Sequence, residues 1–410
     1  MNIIFLTLID IHSTNEYGIY HDFINELKKS NNKIVVVSPN ERRNNKNTTI
    51  IKEGNVEILK VKTGNITKTN KIEKGMSTLT IEKKYKNAIN KHYKHTKFDL
   101  IVYSTPPMTF SKLIASLKYK NNATTYLLLK DIFPQNAVDL NMFKSTSLIY
   151  KYFRKKEIGT YEISDFIGCM SPANKNYILK ENKEIDADKV HIFRNSIYSN
   201  NNFEVSQKDE IFKNLNIDNK NITFIYGGNI GAPQGVHNIK KVMERFDEIP
   251  NSNLVILGNG TKYQELKEFS SCTENNNIHV FDRLPKSQYD QLLNECDVGL
   301  IFLDERFTIP NYPSRLTSYL ELGKPVLVST DMNTDIGREV VEKECGLWNV
   351  STDIEGFIEN AKKLAVDKSL RMKMSLNARE FFEEEFRIED NVEKMLFEIK
   401  KGGQGYEENI

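Results

Sequence analysis

No apolar stretch in the 410-residue sequence approaches the ~18–20 residues that a membrane-spanning helix needs. The apolar run Met1–Ile11 lacks the basic flank and the small-residue cleavage site of a signal peptide, and it fits a buried first strand better. The four cysteines form no Cys-x-x-Cys pair, which argues against structural zinc and is typical of a reducing cytosol. These absences exclude a membrane-spanning or disulfide-stapled protein and favour a cytoplasmic one.

Metal-binding patterns are also scarce. The seven histidines show no His-Glu-x-x-His spacing, and no Asp-x-Asp pair stands out as a metal site. His12 and His21 flank a loop at Gly18, where two scattered histidines are usually surface or packing residues. We therefore expect no metal site.

The net charge of +2 is unevenly spread along the chain. Residues 1–200 hold 32 Lys and Arg against 19 Asp and Glu, whereas the remaining residues hold 25 against 36. The basic half favours an anionic partner, such as a membrane surface or a phosphorylated acceptor, and a solvated lysine-rich surface is the alternative. The candidate lysines on one predicted helix are Lys71, Lys74, Lys83, Lys84, Lys86, Lys91 and Lys94.

The length and the rhythm of the chain predict two α/β domains, because a single core rarely grows beyond ~250–300 residues. Short apolar strands alternate with helical patterns in both halves, which is typical of parallel sheets covered on both faces. We predict an N-terminal Rossmann-like domain (1–196), a linker (197–205) and a second such domain (206–385). A last helix (386–400) is expected to pack back on the first domain, and 401–410 to form a disordered tail.

The most informative segment is Phe224–Gly235, FIYGGNIGAPQG. A strand ends in a glycine-rich turn and a helix follows, which is the arrangement that brings backbone N–H groups and a helix N-terminus to a diphosphate. A tight strand-to-helix turn also uses glycine without any ligand, so this turn alone is a weak signal.

A second segment, Asn311–Ser329, contains a helix entry at Ser314 followed by Arg315. An arginine in the first turn of a helix opposes the helix dipole, and a bound diphosphate would explain its presence. The alternative is an ion pair between Arg315 and Asp304 or Glu305.

Together the two segments resemble the nucleotide-sugar half of glycosyltransferase family 4, a retaining family with the GT-B fold, in which two Rossmann-like domains face each other across a cleft. The likeness is strongest to bacterial capsule and O-antigen transferases, including the N-acetylfucosamine type. Further matching segments are LVILGNG (254–260), IHVFDRL (278–284), CDVGLIF (296–302) and, more loosely, KDIFP (130–134).

The resemblance implies roles for individual residues. Gly228, Asn229 and Gly231 would line the donor diphosphate, and Arg315 would neutralise the leaving phosphate. The other residues implied on the donor side are Arg283 and Leu284 near the base, with Ser314, Ser318 and Glu321. On the acceptor side, Asp131 is a candidate catalytic side chain, or alternatively a helix cap, and Gly18 and His21 would approach the sugar or the acceptor.

The sequence departs from the family at three positions. Many members carry Glu-x7-Glu where this chain has Pro310 and Ser318, and the lysine of a common Lys-Gly pair is replaced by Gln234. Glu321, one turn after Ser318, is a possible substitute, although a glutamate in that pattern is more often simply exposed.

By resemblance, we expect transfer of a sugar, an N-acetylated amino sugar, from a UDP-sugar to an undecaprenyl-diphosphate-linked saccharide in bacterial capsule synthesis. Retention of configuration, no cofactor, no metal, no nucleic-acid partner and peripheral attachment to the inner membrane face are expected as well. The alternatives are a catalytically silent transferase-like subunit and a UDP-sugar 2-epimerase. The residues leave the sugar, base and acceptor open.

Overall fold

The structure is a computed structural model that describes residues 1–67, 69, 71–199, 208–273 and 275–407. The chain divides into two units. Unit 1 comprises Met1–Tyr198 and Arg387–Ile410, and unit 2 comprises Ser199–Phe386. Most of the predicted linker, from residue 200 to 205, lies outside the described residues, as do the side chains of Lys71 and Lys74.

Unit 1 is built on an eight-stranded sheet with the order β3-β4-β2-β1-β5-β6-β7-β8. Neighbouring strands are parallel except for β3, which pairs antiparallel with β4. The strands are β1 (Asn2–Leu6), β2 (Lys33–Glu41), β3 (Thr49–Glu53), β4 (Val56–Thr63), β5 (Leu100–Ser104), β6 (Thr124–Leu129), β7 (Phe166–Cys169) and β8 (Val190–Ile192).

Helices cover both faces of this sheet, as the near-continuous apolar strands require. They are α1 (Ile19–Lys29), α2 (Lys71–His92), α3 (Ser111–Asn121), α4 (Gln135–Asp139), α5 (Leu148–Ile163), α6 (Pro172–Glu181) and the last helix of the chain, α15 (Ile388–Glu407). α3 packs between α2 and α5 in one layer, whereas α1 packs against α15.

The core of unit 1 contains a chain of aromatic rings. Phe23 packs edge-to-face on Phe5 at a ring-centroid distance of 5.5 Å and on Phe193 at 5.7 Å. Ile388 and Met395 of α15 are fully buried in the same core. The last helix of the chain therefore belongs to the N-terminal unit.

Unit 2 has a six-stranded, all-parallel sheet with the order β11-β10-β9-β12-β13-β14. Its strands are β9 (Ile222–Gly227), β10 (Ser252–Leu257), β11 (Ile278–Phe281), β12 (Val298–Phe302), β13 (Val326–Thr330) and β14 (Gly346–Val350). Its helices are α7 (Lys208–Asn214), α8 (Val236–Glu244), α9 (Tyr263–Cys272), α10 (Lys286–Glu295), α11 (Arg315–Glu321), α12 (Ile336–Glu342), α13 (Ile354–Val366) and α14 (Lys368–Glu385).

The expected disordered tail is wrong for its first part, because α15 continues to Glu407. A Cβ atom on Gly402 would lie 2.6 Å from the Phe166 ring, so glycine allows the helix to lie directly against that side chain. Among the described residues, no helix is both long and apolar enough to cross a membrane.

Candidate functional site

The candidate donor site lies where the strand order of unit 2 reverses. From β9 the chain moves outward through β10 to β11, and then returns to the other side of β9 as β12. The loops after β9 and β12 therefore leave the sheet in opposite directions at its carboxyl edge, which is where open α/β sheets bind their ligands. The first loop carries the glycine turn, and the second leads to Arg315.

Two glycine loops pack against each other at this edge. Gly228 follows β9 with a φ of 132°, and Gly258 and Gly260 follow β10 with φ values of 149° and 154°. A Cβ atom on Gly258 would lie 1.7 Å from the carbonyl oxygen of Gly228, and one on Gly260 would lie 2.2 Å from that of Ile230. Only glycine permits this approach, so the two loops form one backbone surface.

Most amides of the first loop are engaged within the protein. The N–H of Gly228 donates to Leu257 (2.9 Å), and the N–H of Gly231 donates to the side-chain oxygen of Gln234 (3.0 Å). Gln234 is buried and also accepts from the Asn229 side chain at 3.1 Å, so it holds the turn together. Within the described residues, the N–H of Asn229 has no hydrogen-bond partner, which leaves it available to a ligand.

Arg315 begins α11 and lies against this surface. Its guanidinium carbon is 4.1 Å from the centre of the Tyr226 ring, and a Cβ on Gly228 would lie 3.2 Å from its Nη2 atom. Its Nη1 atom is inaccessible to solvent and has no hydrogen-bond partner among the described residues. A buried donor without a partner costs free energy, and a bound anion would satisfy it.

The alternative in which Arg315 pairs with Asp304 or Glu305 is wrong. Asp304 binds Arg306 through both carboxylate oxygens, at 2.6 and 2.7 Å. Glu305 binds His237 and Asn238, each at 3.0 Å. In the part of the chain that the structure describes, no carboxylate lies within ion-pair distance of Arg315.

The core face of α11 fixes the position of Arg315. Tyr319 is fully buried, and its hydroxyl lies 3.2 Å from the carbonyl of Ile225 and 3.3 Å from that of Leu300. A Cβ on Gly299 would lie 2.4 Å from the Tyr319 ring. The helix is therefore anchored to the two strands that flank the reversal.

The remaining donor-side candidates are less closely placed. Ser314 is the N-cap of α11, as the predicted helix entry requires, although it is exposed and its hydroxyl makes no capping hydrogen bond. Ser318 is half-buried one turn after Arg315, and Glu321 is buried at the other end of α11 rather than exposed. Arg283 is exposed and Leu284 is half-buried in the loop after β11.

The acceptor-side candidates lie at the carboxyl edge of the sheet in unit 1. Gly18 precedes α1 with a φ of 145°, and a Cβ there would lie 3.4 Å from Nδ1 of His21. His21 is buried, and its Nε2 atom is 3.2 Å from the carboxylate of Glu16. Burial lowers the pKa of His21, against the raising effect of Glu16, so the imidazole is neutral at neutral pH.

Asp131 follows β6, two strands from β1. It does not cap α4, whose N-cap is Pro134, but its carboxylate accepts a hydrogen bond of 2.7 Å from the Asn136 side chain. Burial raises the pKa of Asp131 to about 6, although hydrogen bonds from Ile132 and Asn136 favour the charged form. A carboxyl group that titrates near neutrality suits proton transfer.

Lys130, next to Asp131, is a half-buried lysine that the sequence analysis did not single out. Its ammonium lies 3.3 Å from the carbonyl of Arg194 and 5.2 Å from the centre of the Phe193 ring. Burial lowers the pKa of Lys130 to about 7.

The structure brings His237, Asp304 and Glu305 together, with one possible ligand atom from each residue within 4.8 Å of the others. Because Arg306 occupies the Asp304 carboxylate and Asn238 donates to Glu305, the group is an ion-pair network.

Sequence reasoning missed the roles of Tyr226, Gln234, Gly258 and Gly260. A signal was present for the two glycines, because the Gly-Asn-Gly of residues 258–260 directly follows an apolar strand. Nothing in the sequence indicates that the ring of Tyr226, in β9, packs against the guanidinium of Arg315.

Comparison with known proteins finds a family match in unit 2 and a related glycosyltransferase. Residues 207–381, most of unit 2, match the model of the family described as glycosyl transferases group 1. "Probable glycosyltransferase WbjE" of Pseudomonas aeruginosa is 24% identical over 251 residues, which are 61% of this chain and 62% of that protein. The match therefore spans less than two thirds of that relative.

Solved structures match nearly the whole chain. Sucrose-phosphate synthase from Thermosynechococcus elongatus has a TM-score of 0.71 at 13% identity, covering 100% of this chain and 98% of its own. HepE of Anabaena, in complex with UDP-glucose, has a TM-score of 0.69 at 14% identity, covering 98% and 100%. Residues 207–381 thus match a group 1 glycosyl transferase domain, and the chain as a whole has the two-domain GT-B fold.

Proposed function

We propose that the protein is a sugar-nucleotide-dependent glycosyltransferase that binds a UDP-sugar on unit 2. The observation that carries the proposal is the unpartnered Nη1 atom of Arg315, beside the backbone surface formed by the two glycine loops. The family match over residues 207–381 and the UDP-glucose bound to the structurally similar HepE support the same ligand.

Arg315 has the properties that a leaving diphosphate requires. As the bond between the sugar and the diphosphate breaks, negative charge grows on the phosphate while the sugar acquires oxocarbenium character. A cation that is already fixed in a partly dry site stabilises this charge without reorganisation. Tyr226 and Tyr319 provide that fixation, and the N–H of Asn229 provides a further donor. These side chains perform the neutralisation, and the mechanism we propose uses no metal or cofactor.

On the acceptor side we propose that Asp131 orients or deprotonates the attacking hydroxyl group, with His21 in the first turn of α1 at the same edge of the sheet. Its pKa near 6 leaves the carboxyl group largely ionised at pH 7. We further propose retention of anomeric configuration, an N-acetylated amino sugar as the transferred group and an undecaprenyl-diphosphate-linked saccharide as the acceptor. The basic N-terminal half supports an anionic, lipid-borne acceptor at the cytoplasmic membrane face. Capsule or surface polysaccharide synthesis is the process proposed.

A panel of UDP-sugars and a lipid-diphosphate-linked acceptor test the proposal through the release of UDP. We expect turnover with one donor, a large loss in Arg315→Ala and wild-type turnover in Arg245→Ala. Arg245 is a matched control, since it is an arginine of the same unit whose partners Glu248 and Glu355 lie on the surface. If no donor is turned over or bound, the proposal fails.

One observation favours a second candidate, a silent transferase-like subunit. Pro310 and Ser318 stand where many members of the resembling family carry glutamates, so two acidic groups of the donor site are missing. This candidate predicts UDP binding without turnover, and restored turnover when a partner protein is added.

A further inference from the structure

Exposed apolar side chains gather at the start of α5. Leu148 is 85% exposed, Ile149 49% and Tyr152 43%, and Met142 in the preceding segment is 66% exposed. The fully buried residues of α5 begin only at Glu157, so one side of its first two turns is open to solvent. A cluster of large apolar side chains in water usually marks an interaction surface.

This part of α5 is well fixed. The Ser147 hydroxyl caps the helix by accepting from the N–H of Tyr150 at 3.2 Å. On the side facing the protein, the Phe153 ring packs edge-to-face on Phe133 at a centroid distance of 4.9 Å. The exposed residues are therefore held on a formed helix rather than on a frayed end.

Lysines flank these apolar residues along the chain. Between Asp139 and Glu157, both of them buried, the sequence contains no carboxylate. The same interval contains Lys144, Lys151, Lys155 and Lys156, and none of the four forms an ion pair with a described residue. We call these lysines, together with Met142, Leu148, Ile149 and Tyr152, the α5 surface.

Helix α2, on the other side of α3 in the same layer, also exposes apolar side chains and lysines. In a parallel sheet, each connecting helix starts at the edge where the strands end, so the first turns of α2 and α5 lie at that common edge. Met76 is 65% exposed and Leu79 is 58% exposed in the early turns of α2, and Lys83 and Lys86 are exposed further along.

We propose that the α5 surface is a docking site for an anionic lipid bilayer. Leu148, Ile149 and Tyr152 enter the headgroup region, and the lysines contact lipid phosphates, as an amphipathic helix does at a membrane interface. Charge complementarity favours this occupant. A second copy of the chain, related by two-fold symmetry, would bring the unpaired lysines of one copy against the same lysines of the other.

The inference deepens the proposed function, because a lipid-linked acceptor requires unit 1 to work at a membrane. The test itself needs no donor or acceptor. The purified chain is floated with vesicles of phosphatidylcholine, with and without phosphatidylglycerol, and we expect it to float only with the anionic vesicles.

Two variants and one matched control locate the surface. Each lysine removed in Lys151→Gln/Lys155→Gln should lower vesicle affinity about fivefold, because each basic residue near an anionic surface contributes about 1 kcal/mol. Leu148→Ser/Ile149→Ser should lower it at least about tenfold through the loss of apolar insertion. Tyr119→Ser, at the far end of α3 in the same layer and 78% exposed, should change nothing.

The proposal is overturned if the chain stays soluble with anionic vesicles, if it binds both vesicle types equally, or if Tyr119→Ser weakens binding as much as Leu148→Ser/Ile149→Ser. Sugar transfer to a soluble acceptor analogue is measured as well, because it needs no membrane and so distinguishes a failure of the docking proposal from a failure of the proposed function. The α5 variants should retain that turnover, whereas Arg315→Ala should lose it and still bind vesicles.

Discussion

The carboxyl edges of the two sheets differ in the groups that they present, which are mostly backbone in one unit and side chains in the other. In unit 2 the edge is mostly backbone, because glycines with positive φ at residues 228, 258 and 260 let two loops lie directly on each other. In unit 1 the corresponding edge is formed by larger titratable side chains, including His21, Lys130 and Asp131. On the proposed function, this difference means that unit 2 recognises a diphosphate through a backbone shape that suits many sugar nucleotides, whereas unit 1 recognises its acceptor through individual side chains.

The largest expected effect falls on Arg315, whose guanidinium lies against the glycine turn at the edge of unit 2. Arg315→Ala should lower the rate of sugar transfer about 10²–10³-fold, because it removes the cation that faces the leaving group. Arg315→Lys should recover only part of the rate, since lysine lacks the planar fork of donors. Steady-state kinetics check this, with Arg245→Ala as the control. A rate within twofold of wild type in Arg315→Ala would show that the edge of unit 2 is not the donor site.

The backbone surface of unit 2 can be broken by one methyl group. Gly258→Ala places a Cβ against the Gly228 carbonyl oxygen, so one loop must move, at a cost of about 1–3 kcal/mol in stability. We expect UDP affinity to fall about tenfold or more as the loops separate. Gly54→Ala is the matched control, because Gly54 has a φ of 60° but nothing within 4 Å of the added methyl. Equal UDP affinity in the two variants would contradict a role for the paired loops.

The edge of unit 1 should respond to pH through Asp131. Because burial raises its pKa to about 6, the ionised form is lost as the pH falls through that value. If Asp131 acts ionised, kcat/KM should fall about tenfold for each pH unit below 6. In Asp131→Asn, kcat/KM should be low at every pH and should show no further fall below pH 6. If kcat/KM of Asp131→Asn still falls below pH 6 as it does in the wild type, another group is responsible for the titration.

Lys130 should be visible in stability rather than in catalysis. Burial lowers its pKa in the folded state to about 7, so between pH 7 and 10.5 the unfolded chain binds more protons than the folded chain. The free energy of unfolding of the wild type, relative to Lys130→Met, should therefore rise with pH in that window by up to about 1.4 kcal/mol per unit. Chemical denaturation of both proteins at several pH values measures it. A difference that does not change with pH would show that the folded state holds Lys130 charged.

Much of the fold follows from the sequence, since buried parallel strands are continuous apolar runs. The apolar runs at 222–227, 278–281 and 298–302 each predict a buried strand, and they coincide with β9, β11 and β12. The helical pattern that begins near Lys286 coincides with the start of α10. Neither β3 nor β14 was predicted. β3 is a short edge strand without fully buried residues, and β14 begins with glycine and has only partial burial, so neither shows the pattern of a central strand.

The candidate site could be predicted only in part, for a related reason. Gly228 and Arg315 stand out because a turn needs glycine and a helix start disfavours arginine. The support of Arg315 by Tyr226 and Tyr319, and of the turn by Gln234, depends on contacts across strands that no local pattern encodes. The α5 surface was missed because its apolar residues look like an ordinary core face until their exposure is known.

The central claim is that unit 2 binds a nucleoside diphosphate through Arg315, and calorimetric titration of UDP tests it most directly. We predict saturable binding to the wild type and to Arg245→Ala, with affinity lower by about 100-fold in Arg315→Ala, as expected for the loss of a charge-assisted pair. Equal binding to Arg315→Ala, or no binding to the wild type at millimolar UDP, would contradict the claim.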